Sequence, residues 1–454
     1  MSTPGALFSD LLTSITERGR HLIGLKSAVG DGMPQAASLI ERCEAVLSGR
    51  GEASGTALAT EVLQRYAALD AADRLTFFQA LLYRFGPDKD KLARTAKAWL
   101  AEKSDAVAAD LHFTSEPRRQ ELLRRLNRAP GGTRALVAMR ADLVAALRTN
   151  KDLAAVDRDF AHLLASWFNR GFLVLRRIDW STPAIVLEKI IRYEAVHEIS
   201  DFPSLRLRID PPDRRCYGFF HPALSDEPLI FVEVALTDAV PAAIGPLLDS
   251  ERKPVAPDKA KTAVFYSISN CQKGLAGISF GNFLIKQVVE DLRREFPKLE
   301  TFVTLSPVPG FSRWLKTANL AHLSVEDRQL VAKLDQRTWI DEPGLPERMK
   351  RVLDPLALNY FLAGKRNDGR PVDPVANFHL GNGARLERIN WLGDISSKGL
   401  SDSASLMVNY LYDLDDIEKN HEAFANNAEI VVSNALKKQA KAEAKGRTAE
   451  VATR

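Results

Sequence analysis

An α+β architecture is predicted: an all-α helical bundle over residues 1–169, a mixed α/β domain over 170–436, and a basic flexible tail over 437–454. Three observations lead there. The 454 residues exceed what one hydrophobic core ordinarily organises. Apolar residues step by threes and fours up to about residue 168, then fall into short β-rich runs beyond Arg170. From Lys437 onward, Lys437, Lys438, Lys441, Lys445, Arg447 and Arg454 face only Glu443 and Glu450.

The helical half reads element by element. Leu58, Val62, Tyr66 and Leu69 share one helix face, and Asp70 and Asp73 are candidate N-caps for the next helix. Leu75, Phe78, Leu82 and Phe85 continue the pattern until Gly86-Pro87 stops it. Segments 88–110, 117–128, 133–148 and 151–168 repeat the theme, broken by Pro130-Gly131-Gly132 and Thr149-Asn150. No fixed repeat period links them, which makes a bundle rather than a solenoid. His21, His112 and His162 lie here without clustered partners and read as structural or surface residues.

Beyond Arg170 the runs 172–178, 216–220, 229–236, 262–268 and 301–305 are rich in β-branched and aromatic residues. Asp210-Pro211-Pro212 and Pro241 punctuate them. Helices are expected near 183–196 and 281–296, and a helical insertion over 324–364.

Composition removes several function classes. The chain carries 62 basic and 58 acidic residues, a net charge of +4. The closing run supplies that excess, so the body is near neutral and nucleic-acid binding is not indicated. No apolar run is long enough to span a bilayer. The opening MSTPGALFSDLLTSITERGR lacks a basic start and a long apolar centre and carries Asp10 and Glu17, so no targeting peptide is read. Cys43, Cys216 and Cys271 are odd in number and widely spaced, which fits a reducing compartment and offers no paired metal-ligand spacing.

The run SNCQKGLAGISFGNFLIKQVVED (Ser269–Asp291) carries Gly274, Gly277 and Gly281 between a buried strand and a helix whose Ile285, Val289, Leu292 and Phe296 share a face. The first N–H groups of a helix lack intrahelical partners and favour an anion, and glycines let a phosphate approach the backbone. The pattern G-x-x-G-x-x-x-G is neither the dinucleotide fingerprint nor a P-loop, since the Lys-Ser/Thr pair is missing. A diphosphate held by main-chain amides, such as that of coenzyme A, fits better. A tight strand–helix turn alone would also explain the glycines.

Two later stretches carry candidate chemistry. Ser306 ends the strand TFVTL and enters Pro307-Val308-Pro309-Gly310, where the backbone must leave the sheet. Ligands of α/β sheets usually lie at that strand end. His379 is expected in a short apolar strand, Phe378-His379-Leu380, with Gly381-Asn382-Gly383 as a hairpin turn into a returning strand at 385–391. His197 and His221 read as structural, His322 and His421 as surface residues.

Assembled, the blocks FYSISNCQKGLAGISFGNFLIKQVVEDLRREFPKLETFVTLSPVPGF, DPVANFHLGNGARLERINWLGD and SASLMVNYLY, with EPLIFVEVALT upstream, make the C-terminal half resemble the malonyl-CoA decarboxylase family. The resemblance covers most of 170–412. It implies a helical first domain and a catalytic domain with the fold of the Gcn5-related N-acetyltransferases. It implies conversion of malonyl-CoA to acetyl-CoA and CO₂ without metal, biotin or other cofactor. The family's catalytic serine and histidine match Ser306 and His379. Its coenzyme A loop falls on Ala276, Gly277, Ile278, Ser279, Phe280, Gly281 and Asn282, with Ile285 one turn into the helix. His379 is then expected to donate a proton as an imidazolium, with Ser306 orienting the carboxylate or enolate. Asn377, Asn390 and Tyr410 are candidate supporting residues.

Some members end in a peroxisomal Ser-Lys-Leu; Ala452-Thr453-Arg454 departs from that, and a cytoplasmic location is expected. Homo-oligomerisation through the helical half is expected, since family members associate. An acyltransferase on the same fold and a non-enzymatic coenzyme A-binding scaffold are the alternatives.

Overall fold

In the computed structural model, which describes residues 14, 16–18, 35–49, 51–278 and 284–452, the breaks noted in the sequence become helix ends. Helices run over Gln35–Ser48, Glu52–Ala68, Ala71–Tyr83, Lys89–Ala101, Asp105–Ser115, Arg118–Asn127, Gly132–Ala146 and Ala154–Trp167. Asp70 caps the helix that starts at Ala71, its carboxylate accepting the Asp73 N–H at 2.8 Å. Segment 88–110, read as one piece, is two helices because Ser104 caps a second start. The stripe residues Leu58, Val62, Tyr66, Leu69, Phe78 and Phe85 are buried. The rings of Tyr66, Phe77 and Phe78 lie with centroids 5.3–6.1 Å apart. Fully burying one such ring contributes roughly 1.5–3 kcal/mol.

The β-rich runs form one eight-stranded mixed sheet. Its strands are β1 (Val174–Ile178), β2 (Arg214–Phe220), β3 (Pro228–Thr237), β4 (Thr262–Asn270), β5 (Thr301–Thr304), β6 (Ser306–Pro307), β7 (Arg385–Asn390) and β8 (Met407–Leu411). The order is β1-β2-β3-β4-β5-β8-β6, with β7 paired to β8 off that path. β3 and β4 are antiparallel, β4 and β5 parallel, and β8 is antiparallel to β5, β6 and β7. A parallel pair needs a crossover, and the helix Leu284–Glu295 provides it, burying Ile285, Val288, Val289 and Leu292.

Strand side chains alternate between faces. Val264, Tyr266, Val303, Leu305 and Met407 join Ala235 and Ile244 in an apolar cluster on one face. Phe265, Thr304, Ser306, Tyr410 and Tyr412 therefore take the other.

Helices Val325–Ala332 and Leu345–Leu362 occupy the segment expected to be helical. The chain end differs from its expectation. Asn434–Ala452 is helical, over most of the stretch expected as a flexible basic tail. Its alanine- and lysine-rich composition is helix-favouring, which the charge count concealed.

Contacts along the backbone divide the chain into two compact units. One runs to Val174 and adds Phe220–Leu229 and Gln272–Phe280; the other comprises Leu175–Phe219, Ile230–Cys271 and the chain from Gly281 onward. Among the described residues no helix is long and apolar enough to cross a membrane. None of their His, Cys, Asp and Glu side chains form a group able to hold a metal ion.

Candidate active site

Ser306 sits where the pairing of β5 with β8 is interrupted. Val303 faces Leu411, and Ser306 meets Val408 in the same register. Between them Thr304 lies opposite Tyr410, yet the ladder bonds expected there are made by side chains. The Tyr410 N–H donates to Thr304 Oγ1 at 3.1 Å, and the Thr304 carbonyl accepts from Asn409 Nδ2 at 2.8 Å. Leu305 N–H turns to the Phe265 carbonyl of β4. Thr304 and Asn409 are completely buried, where an unpaired backbone group would cost about 1–3 kcal/mol. Their side chains thus bridge the gap between β5 and β6, and Ser306-Pro307 stays paired with β8 rather than leaving the sheet as its prolines led one to expect.

His379 lies on a helix, Pro374–Gly381, not in the strand of a hairpin. The physical reason is local. Asp373 caps the helix, its Oδ1 accepting the Ala376 N–H at 2.8 Å, and Pro374 occupies the first turn, where its missing N–H costs nothing. Gly381-Asn382-Gly383 ends this helix: Gly383 has φ +85, and a Cβ there would lie 2.2 Å from the Ile417 carbonyl oxygen. Asp373 also accepts the Tyr360 hydroxyl at 3.0 Å. A Cβ on Gly310 would meet that hydroxyl at 2.4 Å, so the turn after Ser306 passes close to the start of the histidine helix.

The fold brings Ser306 and His379 together. His379 Nε2 is 3.1 Å from Ser306 Oγ, and Ser306 Oγ–H donates to Thr304 Oγ1 at 2.9 Å. On the other side of the ring, Nδ1 is 2.8 Å from the Tyr412 hydroxyl. The Tyr410 ring stacks on the imidazole, centroids 4.7 Å apart and 26° between planes. His379 is only 2% and Ser306 6% exposed. Burial pushes the imidazole down from 6.5 to about 3, and it raises the Tyr410 and Tyr412 phenols well above their ordinary range. The ring sits in the last turn of its helix, where the dipole favours a cation, yet desolvation outweighs that. The resting histidine is neutral, which corrects the expectation of a standing imidazolium.

Thr304 and Tyr412 were not singled out from sequence. Their signal was the two-residue period, which places Thr304 beside Ser306 and Tyr412 beside Tyr410 on one face. Asn390 lies one step behind, its Nδ2 donating at 2.9 Å to the Asn409 that holds the Thr304 carbonyl, and its Oδ1 accepting from Arg388 at 2.7 Å. Asn377 Oδ1 has no hydrogen-bond partner among the described residues.

The glycine bend has separate reasons for its described glycines. Gly274 lets the chain touch the helix Gly132–Ala146, since a Cβ would fall 1.8 Å from the Val137 carbonyl oxygen. Gly277 takes φ +76. Buried Arg140 fastens the bend, donating to the Gly274 and Ala276 carbonyls at 2.8 and 2.9 Å, while Asp157 holds its other face at 2.9 Å. Ala276 and Gly277 are exposed and Ile278 is buried. Ile285 is buried in the helix that follows. Ser279, Phe280, Gly281 and Asn282 lie outside the described residues.

Comparison with known proteins agrees across both halves. The malonyl-CoA decarboxylase N-terminal domain matches residues 85–168 and the malonyl-CoA decarboxylase C-terminal domain residues 171–450. The chain belongs to the malonyl-CoA decarboxylase family. Mitochondrial malonyl-CoA decarboxylase from Anser anser anser is 35% identical over 413 residues, covering 82% of this chain and 81% of the relative. The crystal structure of malonyl-CoA decarboxylase from Rhodopseudomonas palustris superposes with a TM-score of 0.87 at 56% identity, covering 89% of this chain and all of that one. The family member from Cupriavidus metallidurans gives 0.69 at 34% identity, covering 89% and 99%.

Proposed function

We propose that this chain converts malonyl-CoA to acetyl-CoA and CO₂, with Ser306 and His379 as the reacting pair. The carrying observation is the buried contact of 3.1 Å between Ser306 Oγ and His379 Nε2 at the broken strand edge. Cleaving the bond to CO₂ leaves an electron pair on the α-carbon. The adjacent thioester carbonyl accepts it as an enolate, so the substrate carries its own electron sink.

One proton must then reach that carbon. The resting imidazole is neutral because burial penalises its charge. A malonyl carboxylate entering the same dry site supplies the opposite charge and favours protonation of the ring. The C–C bond breaks, CO₂ leaves neutral, and the imidazolium gives its proton to the α-carbon, returning to the neutral state. Ser306 orients the carboxylate and then donates to the enolate oxygen. A fixed donor of that kind accounts for about 10²–10³ in rate.

The bend from Ala276 through Gly277, Ile278, Ser279, Phe280 and Gly281 to Asn282, with Ile285 beyond, is assigned to the coenzyme's diphosphate. Support comes from Arg140, which occupies the carbonyls of Gly274 and Ala276 and so leaves anion recognition to main-chain amides. The reading includes a cytoplasmic location and no nucleic-acid or membrane partner. Cys43, Cys216 and Cys271 are free buried thiols, as suits a reducing compartment. It also includes self-association through the helical half, where Tyr83, Leu100 and Phe113 are exposed apolar side chains.

The test is product analysis of purified protein given malonyl-CoA alone. Equal amounts of acetyl-CoA and CO₂ support the assignment. Release that needs an amine acceptor supports acyl transfer instead, and binding without turnover supports a scaffold.

A further inference from the structure

The hydrogen bonds around His379 fix more than its place. Five groups form one chain: Tyr412 hydroxyl, His379 Nδ1, His379 Nε2, Ser306 hydroxyl and Thr304 Oγ1, with separations of 2.8, 3.1 and 2.9 Å across its three hydrogen bonds. A neutral imidazole has one N–H and one lone pair, so the chain can run in only two directions. Thr304 decides between them. Its Oγ1 accepts both the Tyr410 N–H and the Ser306 O–H. In the substrate-free site, where its proton goes to Thr304, Ser306 turns a lone pair toward Nε2, which must then carry hydrogen; the same proton turns to the enolate oxygen only when substrate is bound. Nδ1 is left to accept from Tyr412. The phenol suits that role, because its oxygen is a poor acceptor and a buried O–H left unpaired is costly.

We propose that Thr304 is a positioning residue for the decarboxylation. Its hydroxyl oxygen, locked at the strand gap by the Tyr410 amide, orients Ser306 and thereby holds His379 as the Nε2–H tautomer. This rests on the assignment of Ser306 and His379 as the reacting pair. The consequence is that the nitrogen facing Ser306 carries the proton before substrate arrives; a second proton taken up with the carboxylate enters at Nδ1, where the Tyr412 oxygen turns to accept it, and after Nε2–H has gone to carbon the ring moves its remaining proton back to Nε2 to reset the site. The threonine thus does two jobs at once: it bridges the ladder between β5 and β6 beside Ser306, and it sets the polarity of the catalytic hydrogen bonds.

The experiment is ¹⁵N NMR of histidine-labelled full-length protein, with the His379 signals identified by their loss in His379→Gln among the eight histidines. In the wild type and in Thr304→Ser, which keeps the acceptor, Nε2 is expected protonated. In Thr304→Val, Ser306 has no acceptor but the ring, so the tautomer switches to Nδ1–H. Turnover should fall by about 10²–10⁴, what a positioned general acid ordinarily contributes, with KM nearly unchanged, and Thr304→Ser should restore it. A wild-type Nδ1–H ring, or an unchanged tautomer in Thr304→Val, overturns the proposal. If Thr304→Val does not fold, Tyr412→Phe decides. Retention of Nε2–H shows that the threonine side sets the ring, and a switch to Nδ1–H shows that the tyrosine does and overturns the proposal. The tautomer is read without substrate. Full activity of His379→Gln would therefore remove the catalytic assignment while leaving the hydrogen-bond polarity to stand or fall separately.

Discussion

His379 and His197 are both buried histidines of the sheet half, and both imidazoles are driven below 6.5 by desolvation, to about 3 and about 4. Their surroundings differ. Both nitrogens of His379 are engaged, one by Ser306 and one by Tyr412. His197 Nε2 has no hydrogen-bond partner among the described residues, and the cations Arg208 and Lys398 help to keep that ring neutral. Burial alone therefore does not mark a reacting histidine. What distinguishes His379 is a continuous polar chain, through Ser306 to Thr304 on one side and to Tyr412 on the other.

The largest effect should come from breaking this contrast directly. His379→Gln should lower turnover of malonyl-CoA by about 10³-fold or more, whereas His197→Gln should stay within about threefold of wild type. Comparable losses in both would mean that the partners of His379 carry no special weight. Next is Ser306→Ala, expected to lose about 10²–10³ in kcat. Tyr412→Phe removes only the donor to Nδ1 and should cost about tenfold, read as a drop in kcat at constant KM.

A binding effect sharpens the contrast from the other unit. Arg140→Lys keeps a charge for Asp157 but loses the planar fork that reaches two carbonyls. It should raise KM for malonyl-CoA by about tenfold with little change in kcat, about 1.4 kcal/mol. A fall in kcat alone would place the bend outside coenzyme binding.

Acid stability gives a readout independent of turnover. Both rings have folded-state values below the unfolded 6.5, so between that value and about 3–4 the unfolded chain holds protons the folded chain lacks. Stability is full above 6.5 and is lost as pH falls through the window, by at most about 1.4 kcal/mol per pH unit for each ring. His379→Gln removes one contribution, so its urea midpoint should drop less than the wild type's between pH 7 and pH 5. An equal drop would mean that His379 is not held neutral.

Much of this was legible in sequence, and the remainder has identifiable causes. The change from a helical to a strand period near Arg170 marked where helices give way to strands, and each β-rich run became a strand. Ser306 stood out because Pro307 and Pro309 lack ladder donors, although Ser306-Pro307 remains paired with β8. His379 was found but put on the wrong element: Phe378-Leu380 and the glycine pair mimic a hairpin, although Asp373-Pro374 was an available helix-start signal. Gly274 could not be explained locally, because its reason is a carbonyl of Val137, distant in the chain. Thr304 escaped because strand threonines are ordinary; only the gap opposite Tyr410 gives it a task.

The central claim is that Ser306 and His379 act as one unit on the α-carbon of malonyl-CoA. Turnover to acetyl-CoA and CO₂ in Ser306→Ala, His379→Gln and the double variant tests it most directly. Groups that act together are strongly non-additive, so the double variant should be no slower than about threefold below the worse single variant. Losses that multiply, or wild-type turnover in either single variant, would contradict it.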